Sequence, residues 1–487
     1  MKALFVRRGC AAVAMVFACV GVAGAPDAHG ATNATNATNA TNATNATNAT
    51  NATNATNATN ATNATNATNA TNATNASNAT NATNATNATN ATNATNATNA
   101  TNATNANKTP TAPRMTNPTA PRTCVPAANA APPSTWPRWE AFKRDFVSNE
   151  GRVIDVGSAD ARTVSEGQSY ALFFALVAND RASFDTILRW TEDQLAQGDL
   201  TSHLPAWLWG RDDTGKFRVL DTNAASDADL WIAYALIEAG RAWGERSYTA
   251  RGAALARRVL DTEAAQLPGL GLTLLPGPVG FHPAADTWRV NPSYVPLQVL
   301  RGIGVSLPDD PRWQRLAATS ARLLTDTAPH GFSPDWALYR VQGGFAPDED
   351  TQAESAYNAI RVYLWAGLLD AADPARAALL ERFAPFAAYI AEHGAPPERI
   401  DTRNAQAGPN DGNAGFSAAA VPFLTARGET ALADAQAARA ANAVAPGYYT
   451  SVLTLFGLGW REGRYRFDAD GRLHAASLDA RVCEGAK

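Results

Sequence analysis

From Trp136 onward the chain keeps placing apolar residues three and four positions apart. The segments WPRWEAFKRDFVS, SEGQSYALFFALVAND, ASFDTILRWTEDQLAQ, SDADLWIAYALIEAGRAW and YTARGAALARRVLD carry this spacing. So do RWQRLAATSARLLTD, ESAYNAIRVYLWAGLLD, ARAALLERFAPFAAYIAEH, GFSAAAVPFLTAR, TALADAQAARAANAV and YYTSVLTLFGLGW. It is the period of a helix with a buried face, and it predicts roughly a dozen helices. Alternating apolar and polar positions are few. FRVLD and RYRFDADGRL are the best of them, and each predicts a short ribbon. Helices joined by loops in this way make a bundle, a solenoid or a closed helical barrel, and no fixed-period repeat favours the solenoid.

The chain before Trp136 has no such pattern. Residues 1–25 place Lys2, Arg7 and Arg8 ahead of a short apolar stretch ending in Ala23, Gly24 and Ala25. That reads as a signal peptide, too short to span a membrane. No later stretch could span one, so the protein is expected in the periplasm or secreted. Residues 26–107 are dominated by an Ala-Thr-Asn repeat with one Ser at Ser77. The repeat has no charge, aromatic or large aliphatic residue, so it cannot bury enough surface to offset ordering entropy and is expected to be disordered. As a coil of about 75 residues it would span roughly 50 Å. Residues 108–134 form a Pro-rich linker that repeats TAPR, which predicts an extended, fairly stiff segment. Residues 135–487 are then one large domain.

The formal net charge of −4 comes from outside the repeat, and the domain mixes both signs. No basic face suggests nucleic-acid binding. Cys10 and Cys19 would leave with the signal peptide; Cys124 and Cys483 remain, one at each end of the globular part. In an oxidising compartment they suggest one disulfide, the alternative being two free thiols. The six His show no ligand spacing, so neither a metal nor a cofactor is expected.

The loops LPAWLWGRDD, LDTNAASDAD, TWRVNPSY and GFSPDW set Trp and Tyr beside carboxylates, amides and Arg. Such residues pack at helix ends, but they also suit a sugar cleft, where rings stack on indole and hydroxyls bind the polar groups. Glu166 follows Ser165, a plausible N-cap, and begins an apolar helix. Asp227 and Asp229 begin another. An acid in a first turn is often only dipole-favourable. Two helices each opening with an acid onto an apolar body also fit a carboxylate-based hydrolase, with Glu166 as general acid.

In order along the chain stand EGRVID, SEGQSYALFFALVANDRASFD, LPAWLWG, SDADLWIAYALIEAGRAW, NPSY, GFSPDW, AIRVYLW, GFSAA and LTLFGLGW. Through these motifs, from about Trp136 to Trp460, the chain resembles glycoside hydrolase family 8, in particular the branch that accompanies bacterial cellulose synthase. The resemblance implies an all-α (α/α)6 barrel with short β ribbons in its loops. It implies internal cleavage of cellulose-type β-1,4-glucan with inversion, accessory to cellulose synthesis, with the synthase complex as a possible partner. It also implies Glu166 as the acid and Asp227 as the residue that holds the distorted sugar. Tyr294, Trp207, Trp209, Tyr357 and Arg361 become candidate substrate-binding residues, with one of the two Trp a candidate for the core. A Cys near each end of the domain, as at Cys124 and Cys483, is also a family feature.

One position departs from the family. Cellulase-type members carry the base as an Asp directly after the Tyr, in a YDAxR-like motif; here the residues are Tyr357, Asn358, Ala359, Ile360 and Arg361. An amide can orient a water but cannot take its proton at neutral pH. Members of xylanase and chitosanase type have Asn here and a base from the preceding loop. In this chain that segment carries Asp348, Glu349, Asp350 and Glu354. Glu354 lies four residues before Asn358 and would share its face on a continuous helix, which makes it the candidate base. The alternatives are a glucan-binding module with weak or lapsed catalysis, and a family member acting on chitosan or xylan.

Overall fold

The computed structural model describes residues 135–479 and the short strands Ala34–Thr35, Ala46–Thr56, Ala64–Thr74, Ala82–Thr89, Cys124–Pro126 and Arg481–Cys483. The signal peptide, the rest of the repeat tract and most of the Pro-rich linker lie outside the described residues. The chain divides into two units, Met1–Pro118 and Thr119–Lys487. In the first, the strands pair in parallel. Ala46 faces Ala64, which in turn faces Ala82. The step is a whole number of three-residue repeats, so like residues meet. The tract still has no large apolar side chain with which to offset its ordering entropy.

The second unit runs through α1 (Pro137–Phe146), α2 (Ser165–Val177), α3 (Arg181–Leu195), α4 (Ser226–Trp243), α5 (Arg246–Thr262), α6 (Leu297–Ser306) and α7 (Arg312–Asp326). It continues through α8 (Ile360–Leu368), α9 (Arg376–Arg382), α10 (Ala384–His393), α11 (Ala414–Ala426), α12 (Thr430–Ala441) and α13 (Tyr448–Arg461). Two kinds of helix alternate. α2, α4, α8 and α11 are apolar almost all round and buried along most of their length. α3, α5, α7 and α12 bury one stripe and leave the opposite face to solvent, as amphipathic helices do. Each stripe covers a more deeply buried partner: α3 packs on α2, α5 on α4, α7 on α6 and α12 on α11.

The more buried helices also neighbour one another in chain order, α2 with α4, α4 with α6, α6 with α8, α8 with α11 and α11 with α13. Phe174 of α2 meets Phe456 of α13 with ring centroids 4.7 Å apart, which brings the last of them back to the first. Glycine permits the closest approaches. A Cβ at Gly367 would collide with the backbone of Phe423, and one at Gly457 with that of Ala418. α8, α11 and α13 therefore pack backbone to backbone, which fixes the depth at which α8 sits.

The strands are short and lie between helices, and there are more of them than the alternating pattern predicts. Phe217–Asp221 pairs with Leu208–Arg211, and Tyr465–Phe467 with Leu473–Ala475, where FRVLD and RYRFDADGRL predict ribbons. A further sheet joins Thr287–Val290, Ala337–Arg340 and Gly344–Pro347. Cys124–Pro126 and Arg481–Cys483 pair antiparallel with Cys124 opposite Cys483, so the two ends of the unit meet. The helix expected from Glu354 to Leu369 is broken. Glu354–Ser355 is a strand paired with Ile400–Asp401, Tyr357 to Ala359 form a turn, and α8 begins only at Ile360.

Candidate active site

Arg361 sits in the first turn of α8 and is only 2% exposed. A buried guanidinium must be paired, and five residues from four places in the chain converge on it. Nη1 donates to Glu166 Oε2, to the Tyr170 hydroxyl at 3.0 Å and to Asp227 Oδ2 at 3.2 Å. Nη2 donates to Ser293 Oγ at 2.9 Å and to Asn358 Oδ1 at 2.8 Å. Glu166 is the second residue of α2 and Asp227 the second of α4, so both carboxyls lie at positive helix ends. Ser293 is held by Asn291, whose side chain accepts from its N–H and its hydroxyl.

Exposure separates the two acids. The Glu166 side chain is 20% exposed, against 3% for Asp227 and for Arg361. Glu166 is thus the member of the cluster that can meet a substrate from solvent. Burial pushes the Asp227 carboxyl up to about 7; Arg361 opposes the shift, and Glu166, within hydrogen-bond reach, adds to it. Asp227, beside Glu166 on one shared cation, therefore keeps its proton up to near neutral pH. Behind Asp227, Asp229 and Glu263 are fully buried, and burial first, then neighbouring acids, hold both well above the usual carboxylate range. Burial likewise keeps the Tyr170 and Tyr294 hydroxyls neutral.

The remaining expected residues divide. Tyr294 is half-buried against the cluster, with the Arg361 guanidinium 5.8 Å from its ring and Trp336 at 6.1 Å. Trp207 is also half-buried, and its carbonyl accepts the Ser165 N–H at 3.0 Å, beside Glu166. Trp209 is not a platform. It is 9% exposed, stacked on Phe217, edge-on to Trp190, and covered by Arg152 at 4.2 Å. Tyr357 is 39% exposed and its hydroxyl donates to Glu398 at 2.9 Å, away from the acids. Arg361, expected as a substrate ligand, lies beneath the carboxyls and orients them. Ser165 does not cap α2; its hydroxyl is buried without a partner.

Glu354 is not in the cluster. It lies in a strand, not one helical turn before Asn358, and its carboxylate pairs with Arg399. Of the other acids in that segment, Asp348 pairs with Arg289 at 2.7 Å and Glu349 with Arg403 at 2.7 Å. The residue that the sequence reading missed is Asp335, in the GFSPDW loop. It is 5% exposed, and its Oδ1 accepts the N–H groups of Ala356 at 2.7 Å and Ala359 at 2.8 Å. Its Oδ2 faces Asn358 Nδ2 at 3.4 Å. Tyr170, Ser293, Tyr449 and Trp336 were missed as well. All four stood in segments already singled out, Tyr170 in SEGQSYALFFALVAND, Ser293 in NPSY, Trp336 in GFSPDW and Tyr449 in YYTSVLTLFGLGW.

The sequence profile of Glycosyl hydrolases family 8 matches residues 112–463. An endoglucanase of Salmonella typhi is 48% identical over 353 residues, covering 71% of this chain and 92% of that protein. An endoglucanase of Xanthomonas axonopodis pv. citri (strain 306) is 48% identical over 357 residues, covering 72% and 92%. Among solved structures, the endo-1,4-D-glucanase from Vibrio fischeri ES114 superposes with a TM-score of 0.66 at 43% identity, over 71% of this chain and 100% of that one.

Proposed function

The chain belongs to glycosyl hydrolases family 8, and on that footing we propose that it is an endo-β-1,4-glucanase cleaving cellulose-type chains internally, with inversion at the anomeric carbon. The observation that carries the reading is the Glu166–Asp227 pair on Arg361, with Glu166 open to solvent and Asp227 buried behind it. The relatives and the solved neighbour carry glucanase names, which supports a β-1,4-glucan substrate. The run of neighbouring helices that returns from α13 to α2 supports an (α/α)6 barrel.

Glu166 protonates the leaving glycosidic oxygen. Asp227, too buried to reach the leaving group, keeps the pair protonated and holds a hydroxyl of the distorted sugar. Tyr294 and Trp207 flank the ring. Inversion needs a second carboxylate roughly 6.5–9.5 Å from the acid, with a water between them. Asp227 is in hydrogen-bond contact with Glu166 and is too near for that role. Export is part of the same proposal, resting on the charged-then-apolar N-terminus, as is service to a cellulose synthase complex, resting on the resemblance. A disulfide between Cys124 and Cys483 is supported by their opposed register. Pure binding without catalysis is not favoured, because the acid Glu166 stands open to solvent, paired with Arg361. Arginines offset much of the acidic segment that would draw cationic chitosan.

The test is cleavage of carboxymethylcellulose by wild type and Glu166→Gln, with the new anomer read by NMR. Wild type should lower viscosity well before reducing ends accumulate and should release the α-anomer first. Glu166→Gln should lose about 10²–10⁴-fold in kcat. A wild-type protein that binds β-1,4-glucans and cleaves none of them would end this reading.

A further inference from the structure

The cluster has an acid but, at position 358, an amide that cannot serve as base. Asn358 is also held in one orientation. Its oxygen accepts from the permanent cation Arg361, and its NH2 group donates toward Asp335 Oδ2. Asp335 in turn is held by two backbone N–H groups on its other oxygen, Oδ1. Oδ2 has only the long contact with Asn358 among the described interactions, so it keeps acceptor capacity. Asp335 belongs to the same electrostatic neighbourhood as the acids. The half-buried Tyr449, whose hydroxyl donates to the Tyr357 carbonyl at 2.6 Å, is acted on at once by Arg361, Glu166, Asp335 and Asp227.

Resting on the glucanase reading above, we propose that Asp335 is the general base, with Asn358 orienting the attacking water beside it. The water hydrogen-bonds to the free lone pair of Asn358 Oδ1. Its O–H bond breaks and the proton passes to Asp335 Oδ2, while the oxygen's electron pair forms the new bond to the anomeric carbon. The glycosidic C–O bond breaks, and the leaving oxygen takes the proton of Glu166. One water is consumed, and solvent returns the proton from Asp335 to Glu166 between turnovers. The carboxylate that the reaction requires is thus supplied from the GFSPDW loop, one side chain away from the position that lost it.

The test uses Asp335→Asn, which keeps an oxygen for the two backbone N–H groups, and the double variant Asp335→Asn/Asn358→Asp, which exchanges the two side chains. A cellooligosaccharide with an activated leaving group removes the need for the acid. Asp335→Asn should lose about 10²–10⁴-fold in kcat with KM little changed and an unaltered melting temperature. Added azide should then restore turnover and yield an α-configured glycosyl azide, which a residue that merely caps α8 would not produce. The double variant should recover activity. Wild-type kcat in Asp335→Asn, or a loss that azide does not rescue while the fold stays intact, would overturn the assignment. Wild type inactive on every β-1,4-glucan would instead fail the glucanase reading itself.

Discussion

Replacing Arg361 with Met tests the electrostatic core of the site. The side chain keeps its length and loses its charge. What it leaves behind is Glu166 and Asp227 facing each other, with Tyr170, Ser293 and Asn358 each short of a partner. Removing one member of a buried ion pair costs about 3–5 kcal/mol, because the remaining charge is uncompensated. A domain of about 345 residues unfolds with an entropy near 0.7 kcal/mol per degree, so the melting temperature at pH 7.5 should fall by about 4–7 °C.

The pH dependence fixes the cause. Burial raises the Asp227 carboxyl from about 3.9 in the unfolded chain to about 7 in the fold. The folded state then binds more protons between those values. The stability from this group is fully present below about pH 4 and is lost as pH rises through 7. Without Arg361 the cation that opposes the shift is gone and the pKa climbs further, so the loss extends past neutrality. At pH 4.5 the Asp227 carboxyl is neutral in the fold, and the variant has less charge to compensate. Calorimetric melts of both proteins at pH 4.5, 6.0 and 7.5 should therefore show a gap that narrows as pH falls. A gap below about 1 °C at pH 7.5, or one that does not change with pH, would refute the buried-pair argument.

Other substitutions separate packing from chemistry. A Cβ at Gly167 would collide with the Tyr448 hydroxyl, so Gly167→Ala should cost about 1–3 kcal/mol by overpacking and, by shifting the first turn of α2, should also lower kcat in the viscosity assay. Trp209→Ala should cost about 3–5 kcal/mol in urea melts with KM on cellooligosaccharides unchanged, whereas Trp207→Ala should raise KM with little loss of stability. Non-reducing mass mapping of protein prepared under oxidising conditions should recover a Cys124–Cys483 linked peptide pair, and reduction should lower the melting temperature; two free thiols in fully oxidised material would exclude the bond. Deleting residues 31–107 should leave kcat and KM on carboxymethylcellulose unchanged, as expected of a neutral spacer.

Most helices were legible because their apolar period is local. Glu166, Asp227 and Arg361 were legible because each sits at the start of such a helix and within a family motif. The start of α8 was not. Its apolar pattern extends back through Ala356 and Ser355, and nothing nearby breaks it. The break comes from Asp335, which accepts the N–H groups of Ala356 and Ala359 from 21 and 24 residues upstream and so organises the turn ahead of the helix. A cap supplied across that distance leaves no mark on the periodicity of the segment it caps, and so Glu354 and Asn358 looked like neighbours on one face. Trp209 was ambiguous for the same kind of reason. Arg152, which covers it, lies 57 residues earlier in the chain.

That non-local contact also changes the meaning of the amide at position 358. With Asp in its place, two carboxylates would stand about 3.4 Å apart, as the Asn358 Nδ2 to Asp335 Oδ2 distance shows. Both cannot ionise at that separation, so one would keep a proton at neutral pH. With Asn, the pair becomes one carboxyl and one amide donor, and that repulsion is absent. Asn358→Asp alone should accordingly shift the acidic limb of the pH–rate profile upward, because the new pair must lose its shared proton before either member can act as base. Asp335→Asn combined with Asn358→Asp should return that limb toward its wild-type position. An acidic limb unmoved in the single variant would mean that the two side chains do not share a charge, and Asp335 would then be a cap for the turn before α8 and nothing more.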